Sequence, residues 1–264
     1  MTMMQGAIKT DVIGTVATIT IHNPKKRNAL TCQMWRDLRS AVEKYSANPH
    51  IRCLIVSGAS GGGFAAGADI DEFPTERMTR DQVVTYHEQI VGPALNAFIA
   101  SDVVSIASID GDCMGGGLEI AMACDLRYAS DSARFGAAVA RLGFPLALGE
   151  TEILVRKFGF PLAAELLLEA RILDAAEAQN KGLVHQTKQA AELKTLVAEV
   201  SARISELSPS ALKSMKQQIR RLLLNPDPAT ASERDMHYNF SESSDYLEGY
   251  TAFVKKRKPI FTGQ

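Results

Sequence analysis

The sequence predicts an α/β core followed by a helical C-terminal part, and three observations carry that reading. β-branched runs alternate with helical periodicity through the first part of the chain, whereas from Leu148 onward helical periodicity dominates. Two of the β-branched runs feed glycine-rich segments, residues 61–71 (GGGFAAGADID) and 111–125 (GDCMGGGLEIAMACD), each leading into a stretch able to coil. Recurrence of strand, glycine turn and helix hints at a repeated ββα unit. With 264 residues, 46% of them hydrophobic, the chain forms one large domain, or a main domain with an appendage, around a sizeable core.

A first short strand is expected near residues 6–9, and 12–22 (VIGTVATITIH) reads as the next. Asn23-Pro24 marks a turn. Thr31 then looks like an N-cap, with Met34, Leu38, Val42 and Tyr45 on one helix face, and Asn48-Pro49 ends that helix. Residues 51–57 (IRCLIVS) form a buried strand entering the first glycine segment. A helix over 79–100 is bent or interrupted at Gly92-Pro93. Residues 103–109 (VVSIASI) enter the second glycine segment, and 118–124 is apolar enough for a helix buried all round. Short strands are expected at 126–129 and around 133–135. The remainder reads as helix, punctuated at Gly159, Asp174, Gly182, Ser208-Pro209 and Asn225-Pro226.

Composition excludes several classes of function. A formal net charge of −1 argues against an electrostatic platform for nucleic acid or an anionic membrane. Cys32, Cys53, Cys113 and Cys124 are scattered without a CxxC, so each is expected as a small buried residue rather than a metal ligand. The five histidines form no HxxxH or HxH. No run approaches the ~20 apolar residues that a spanning helix needs, and residues 1–11 resemble neither a signal nor a transit peptide. A cytoplasmic protein in a reducing compartment is expected.

The glycine segments carry the chemistry. A turn without side chains leaves backbone N–H groups open to an oxygen with developing negative charge, and Glu119 places a carboxyl beside the second turn. The plainer alternative is that the glycines serve tight packing and that Glu119 is favoured by the macrodipole at a helix start. Gly61, Gly63 and Ala66 satisfy a loose G-x-G-x-x-A, but no amphipathic helix opens after them, so a dinucleotide site is rejected.

Phe64-Ala65-Ala66-Gly67-Ala68-Asp69-Ile70 and Gly115-Gly116-Gly117-Leu118-Glu119 resemble the two signature segments of the crotonase (enoyl-CoA hydratase/isomerase) superfamily. Supporting matches are Asn23-Pro24-Lys25-Lys26-Arg27-Asn28-Ala29-Leu30, Ala123-Cys124-Asp125-Leu126-Arg127, Ala133-Arg134-Phe135-Gly136, and a tail from Phe253 to Phe261. They follow the family's order along nearly the whole chain. The resemblance implies a crotonase-like spiral of ββα units over 1–200. It also implies a helical trimerisation region over 201–264 that closes the coenzyme A site. The implied assembly is a homotrimer, or a hexamer built as a dimer of trimers. The implied ligand is an acyl-CoA thioester, with coenzyme A as part of the substrate and no separate cofactor or metal.

Carried over by position, the two oxyanion donors are the N–H groups of Ala68 and Gly116, which would stabilise a thioester enolate. One such donor is worth roughly 2.7–4 kcal/mol in a transition state. Glu119 matches the catalytic acid/base. Ala66, Asp69 and Ile70 match the coenzyme A path, and Phe253 and Lys256 match an aromatic and basic pair at its adenine end. A cap at the following turn is the other reading for Asp69, and a core Phe and a solvated Lys are the other readings for the last two.

Two departures matter. The family's second glutamate falls on Val139, which cannot transfer a proton, so ordinary two-glutamate hydration is in doubt. Glu150 and Glu152 meanwhile occur in a helix start that borders the family's active site; Glu150 is either a replacement acid or a helix cap. Tyr86 and His87 could reach a polar substrate group, but surface helix positions are the favoured reading. Hydration with Glu150, isomerisation by Glu119 alone, decarboxylation, thioester hydrolysis and non-catalytic acyl-CoA binding all remain open.

Overall fold

The structure is a computed structural model that describes residues 6–264; the leader reading of residues 1–11 therefore falls partly outside the described residues. Strands β1 (Ala7–Ile13) and β2 (Val16–His22) pair antiparallel. The run expected over 12–22 is thus split by a hairpin turn at Gly14, whose φ of 58° suits a tight turn. β2 pairs in parallel with β3 (Cys53–Gly58), β3 with β4 (Val104–Ile109), β4 with β6 (Leu126–Ser130), and β6 with β9 (Gln186–Lys188). The six-stranded sheet has the order β1-β2-β3-β4-β6-β9.

A second sheet of three strands, β5 (Asp112–Met114), β7 (Arg134–Gly136) and β8 (Ile172–Asp174), runs in the order β5-β7-β8. The chain therefore steps from the large sheet to the small one at each glycine segment. Isolated parallel bridges, Leu30 to Ala68 and Ala65 to Cys113, continue the stacking beyond the small sheet. Successive turns of chain lie on one another, which is the spiral of ββα units that the resemblance implies. β8 and β9 replace what reads as continuous helix. At three residues each they carry too little periodicity to declare themselves, and the strands they join define them.

Helix α1 (Cys32–Ser46) starts where expected: the Thr31 hydroxyl accepts from Met34 N–H, and Met34, Leu38, Val42 and Tyr45 are buried with Trp35. Upstream of α1, Arg27 and Asn28 take left-handed φ of 53° and 57°. Asn28 is fully buried there; its amide donates to Ala59 O and Gly63 O, and its Oδ1 accepts from Asn23 N–H at 2.9 Å. It ties the first turn of the spiral to the second. Asn28→Ala is expected to cost about 2–4 kcal/mol of unfolding free energy, read from denaturant melts, because it strands three buried polar partners.

The helix expected over 79–100 is a composite. After α2 (Phe73–Glu76) come α3 (Arg80–Val84), a π-helical stretch Thr85–Val91, and α4 (Gly92–Ala100). The Gly92 N–H reaches back five residues to His87 O, so the wide turn takes up the irregularity that Pro93 imposes. Helix α5 (Gly116–Ala123) is buried at every residue. Its C-terminus is capped by two cations. Lys157, on α6 (Leu148–Leu167), donates to the carbonyls of Met122, Ala123 and Cys124, and Arg127 donates to those of Ala121 and Cys124. Burial and the nearby Arg127 push the Lys157 ammonium down to about 8.

On the far face of the large sheet, α8 (Ala190–Ser205) buries Leu193, Val197, Val200 and Ile204 against Cys53 and Ile106. Helix α9 (Pro209–Leu224) is anchored by Lys216, whose ammonium lies 2.7 Å from Asp125 and donates to Val103 O. It is followed by α10 (Ala231–Met236) and α11 (Ser244–Val254). Ile219, Leu222, Leu247, Tyr250 and Phe253 on α9 and α11 are exposed. All four cysteines are free and buried, as expected. None of the helices among the described residues is long and apolar enough to cross a membrane.

Candidate functional site

The bridge between Leu30 and Ala68 is made by Leu30 N–H to Gly67 O and Asp69 N–H to Leu30 O, both 2.8 Å. In a parallel bridge of this kind the intervening residue turns its own N–H to the opposite edge. The Ala68 N–H is thereby freed. On that edge the second glycine segment arrives: Met114 N–H bonds Ala65 O, and Gly115 N–H bonds Gly136 O. Gly116 opens α5, so its N–H has no partner inside the helix. Among the described residues neither Ala68 N–H nor Gly116 N–H finds an acceptor.

The two turns touch. Gly67 has φ of 104° and Gly115 has φ of 48° with ψ of −117°, conformations that side chains resist. A Cβ on Gly67 would lie 3.7 Å from Gly116 N, and one on Gly115 would lie 3.6 Å from Gly67 Cα. Trp35 closes the floor, since a Cβ on Gly116 would fall 2.8 Å from its Cζ2.

Glu119 lies in the first turn of α5 and is buried. Burial raises its carboxyl from the ordinary 4.5 to about 8; the negative charge of Glu150 adds to the rise, and Arg77 opposes it. Glu150 is in the first turn of α6, 3% exposed, and its Oε1 is 2.9 Å from His87 Nδ1. It is therefore bonded inward rather than capping the helix from solvent. His87 Nε2 is in turn 3.5 Å from the Arg77 guanidinium. Tyr86 is buried, and its hydroxyl is pushed up by burial and by the Glu119 charge.

The surface reading of Tyr86 and His87 is overturned. Tyr86 is buried with Ile90 and Val91 in the π-helical stretch, and His87 is partly buried against Glu150. Trp35 and Arg77 went unsingled in the sequence. The first is one more apolar residue in α1, and the second is an isolated cation in a short loop.

The other expected positions separate into groups. Ala66, Ala68, Asp69 and Ile70 lie in the one turn that meets Gly116. Ala66 N–H is used by Arg27 O, and Ile70 is exposed. Asp69 is buried, bonded to Lys26 at 2.6 Å, and accepts from Asp71 N–H, so the capping reading holds for it. Phe253 is 85% exposed at the end of α11, which overturns the reading of a core Phe. Lys256, just beyond it, is exposed with φ of 50°. No side-chain hydrogen bond or ion pair among the described residues ties either to the 66–70 turn. Val139 sits in a 3₁₀ turn, Ala138–Leu142, and Glu152 is an exposed partner of Arg156.

Comparison with known proteins shows what the chain as a whole is similar to. A family model described as enoyl-CoA hydratase/isomerase matches residues 12–264. The chain is 33% identical over 252 residues to a "Probable enoyl-CoA hydratase" of Mycobacterium bovis, covering 94% of each. It is 32% identical over 246 residues to the short-chain-enoyl-CoA hydratase of Clostridium acetobutylicum, covering 93% of each. A crystal structure of an enoyl-CoA hydratase/carnithine racemase from Magnetospirillum magneticum superposes with a TM-score of 0.94 at 38% identity, over 98% of this chain and 96% of that one.

Proposed function

The chain belongs to the enoyl-CoA hydratase/isomerase family, and from that membership we propose a two-carboxylate hydration or dehydration of an enoyl-CoA in which Glu150 stands in for the carboxyl missing at Val139. The supporting observation is the pair of buried, mutually coupled carboxyls, Glu119 and Glu150, beside two N–H groups without acceptors. Burial and the Glu150 charge raise the Glu119 carboxyl, so Glu119 can hold a proton near neutral pH.

In this reading the thioester oxygen sits between Ala68 N–H and Gly116 N–H, which stabilise its charge as the enolate forms. Glu119, protonated near neutral pH, delivers a proton to the α-carbon. Glu150, held by His87, takes a proton from the water that attacks the β-carbon; dehydration is the reverse. His87 is a positioning residue. Ala66, Asp69 and Ile70 line the coenzyme A path, and Phe253 and Lys256 flank its adenine end. The exposed apolar residues of α9 and α11 are the face on which copies assemble as trimers, or as hexamers of two trimers.

The valine at 139 favours one competing reading, isomerisation by Glu119 alone. A panel of enoyl-, β-keto-, malonyl- and hydroxyacyl-CoA substrates, followed by mass in D2O, separates these readings. Addition of one water to an enoyl-CoA is expected. Deuterium uptake without added water would replace hydration by isomerisation, and the absence of any mass change across the panel would overturn catalysis.

A further inference from the structure

The wall beside Glu119 and Glu150 contains a cation that no step above uses. The Arg77 guanidinium lies 4.4 Å from the ring centroids of Phe73 and Tyr86 and 4.8 Å from that of Phe144. Phe73 and Phe144 also face each other at 6.1 Å. Three aromatic faces thus hold the guanidinium plane in place. Its side-chain hydrogen bonding among the described residues amounts to one long contact, 3.5 Å to His87 Nε2. Of the two carboxyls of the site, Glu150 bonds His87, and Glu119 makes no ion pair with Arg77 although it feels its charge. Among the described residues no carboxylate comes within ion-pair range of Arg77.

A planar fork of N–H donors, held among three rings and without a carboxylate partner among the described residues, is suited to bidentate recognition of a carboxylate. Its neighbours place it at the acyl end of the site. Through His87 it adjoins Glu150, and its charge is felt at Glu119, three residues along α5 from Gly116. Bound thioester would therefore run from the Ala68 and Gly116 N–H groups, past the two carboxyls, toward the aromatic cage.

We propose that Arg77 selects acyl-CoA thioesters whose acyl chain ends in a second carboxylate, with Phe73, Tyr86 and Phe144 packing against the intervening methylenes. The inference rests on reading this pocket as the acyl-CoA site. A neutral, unbranched chain of the same length leaves the guanidinium without its partner, and such an unpaired site discriminates more strongly than a change of chain length does.

Binding to the full-length protein tests this without requiring turnover. Succinyl-, glutaryl- and adipyl-CoA are titrated calorimetrically against butyryl-, pentanoyl- and hexanoyl-CoA. At least one dicarboxylic thioester is expected to bind about tenfold or more tighter than its length match. Arg77→Met is expected to bring that ratio within about twofold, and Arg77→Lys, which keeps the charge without the fork, to retain part of it. Parity in all three pairs, preference for the neutral chains, or a preference that survives Arg77→Met overturns the proposal. Should the variants fail to fold, glutaryl-CoA against its ω-methyl ester on the unaltered protein decides the same point. Failure of all six thioesters to bind would instead overturn the acyl-CoA reading itself, a result distinct from parity among ligands that bind.

Discussion

Glu119→Gln is expected to lower turnover by at least about 10²-fold, because the amide preserves the shape of the side chain but cannot transfer a proton. The same substitution is expected to stabilise the fold at alkaline pH. Glu119 has a folded pKa of about 8 against an ordinary 4.5, so the folded protein holds this proton more tightly than the unfolded chain does. The stability associated with that proton is complete below pH 4.5, declines as pH rises toward 8, and is gone above it. Glutamine does not titrate. The thermal midpoint of Glu119→Gln should therefore pull ahead of the unaltered protein between pH 4.5 and 8, and the gap should level off beyond that range. Unchanged turnover would remove Glu119 as the proton donor and leave Glu150 as the leading candidate. A gap independent of pH would mean that the carboxyl is not held protonated.

Glu150→Gln is expected to reduce kcat by about 10²-fold, with a smaller change in KM, if Glu150 is the group that activates water. The pH profile reads the electrostatic influence of Glu150 on Glu119, and kcat reads water activation. The negative charge of Glu150 helps to raise Glu119, so its removal lowers the pKa of Glu119. With Glu119 acting as the acid, activity falls as pH rises through its pKa, and in Glu150→Gln that alkaline limb should move to lower pH. Glutamine can still accept from or donate to His87, which preserves the local packing around the 2.9 Å contact. An alkaline limb that stays in place, together with undiminished turnover, would sink the two-carboxylate mechanism.

Most of the scaffold of this site could be read from the residues, because it is built from local rules. Thr31 caps α1, and the apolar face of that helix is the one its spacing indicates. The glycines before Ala68 and Gly116 are required by backbone angles that side chains disfavour, and α5 is apolar all round because it is buried all round. The resemblance located Glu119, and the departure at Val139 directed attention to Glu150.

What escaped the sequence depends on long-range placement. His87 and Glu150 are 63 residues apart, and only the folded chain brings them into contact. Arg77 is an isolated cation in the sequence, and three rings from separate segments gather around it in the fold. The hairpin at Gly14 interrupts a run of β-branched and small residues that reads as one strand, so composition alone does not reveal it.

The capped, wholly buried α5 has a consequence for how such a protein can diversify. Its N-terminus faces the two turns, its C-terminus is clamped by Lys157 and Arg127, and no residue along it reaches solvent freely. Substitution there disturbs the core and the chemistry together. The opposite wall, residues 73–91, is made of short helical pieces with Met78, Val83 and Val84 exposed, and it contributes Phe73, Arg77, Tyr86 and His87. One side of the proposed site is thus a single buried helix, and the other is assembled from short pieces. In the proposed mechanism, moving a new ligand preference onto this scaffold means exchanging residues 73–91 while keeping His87, which holds Glu150.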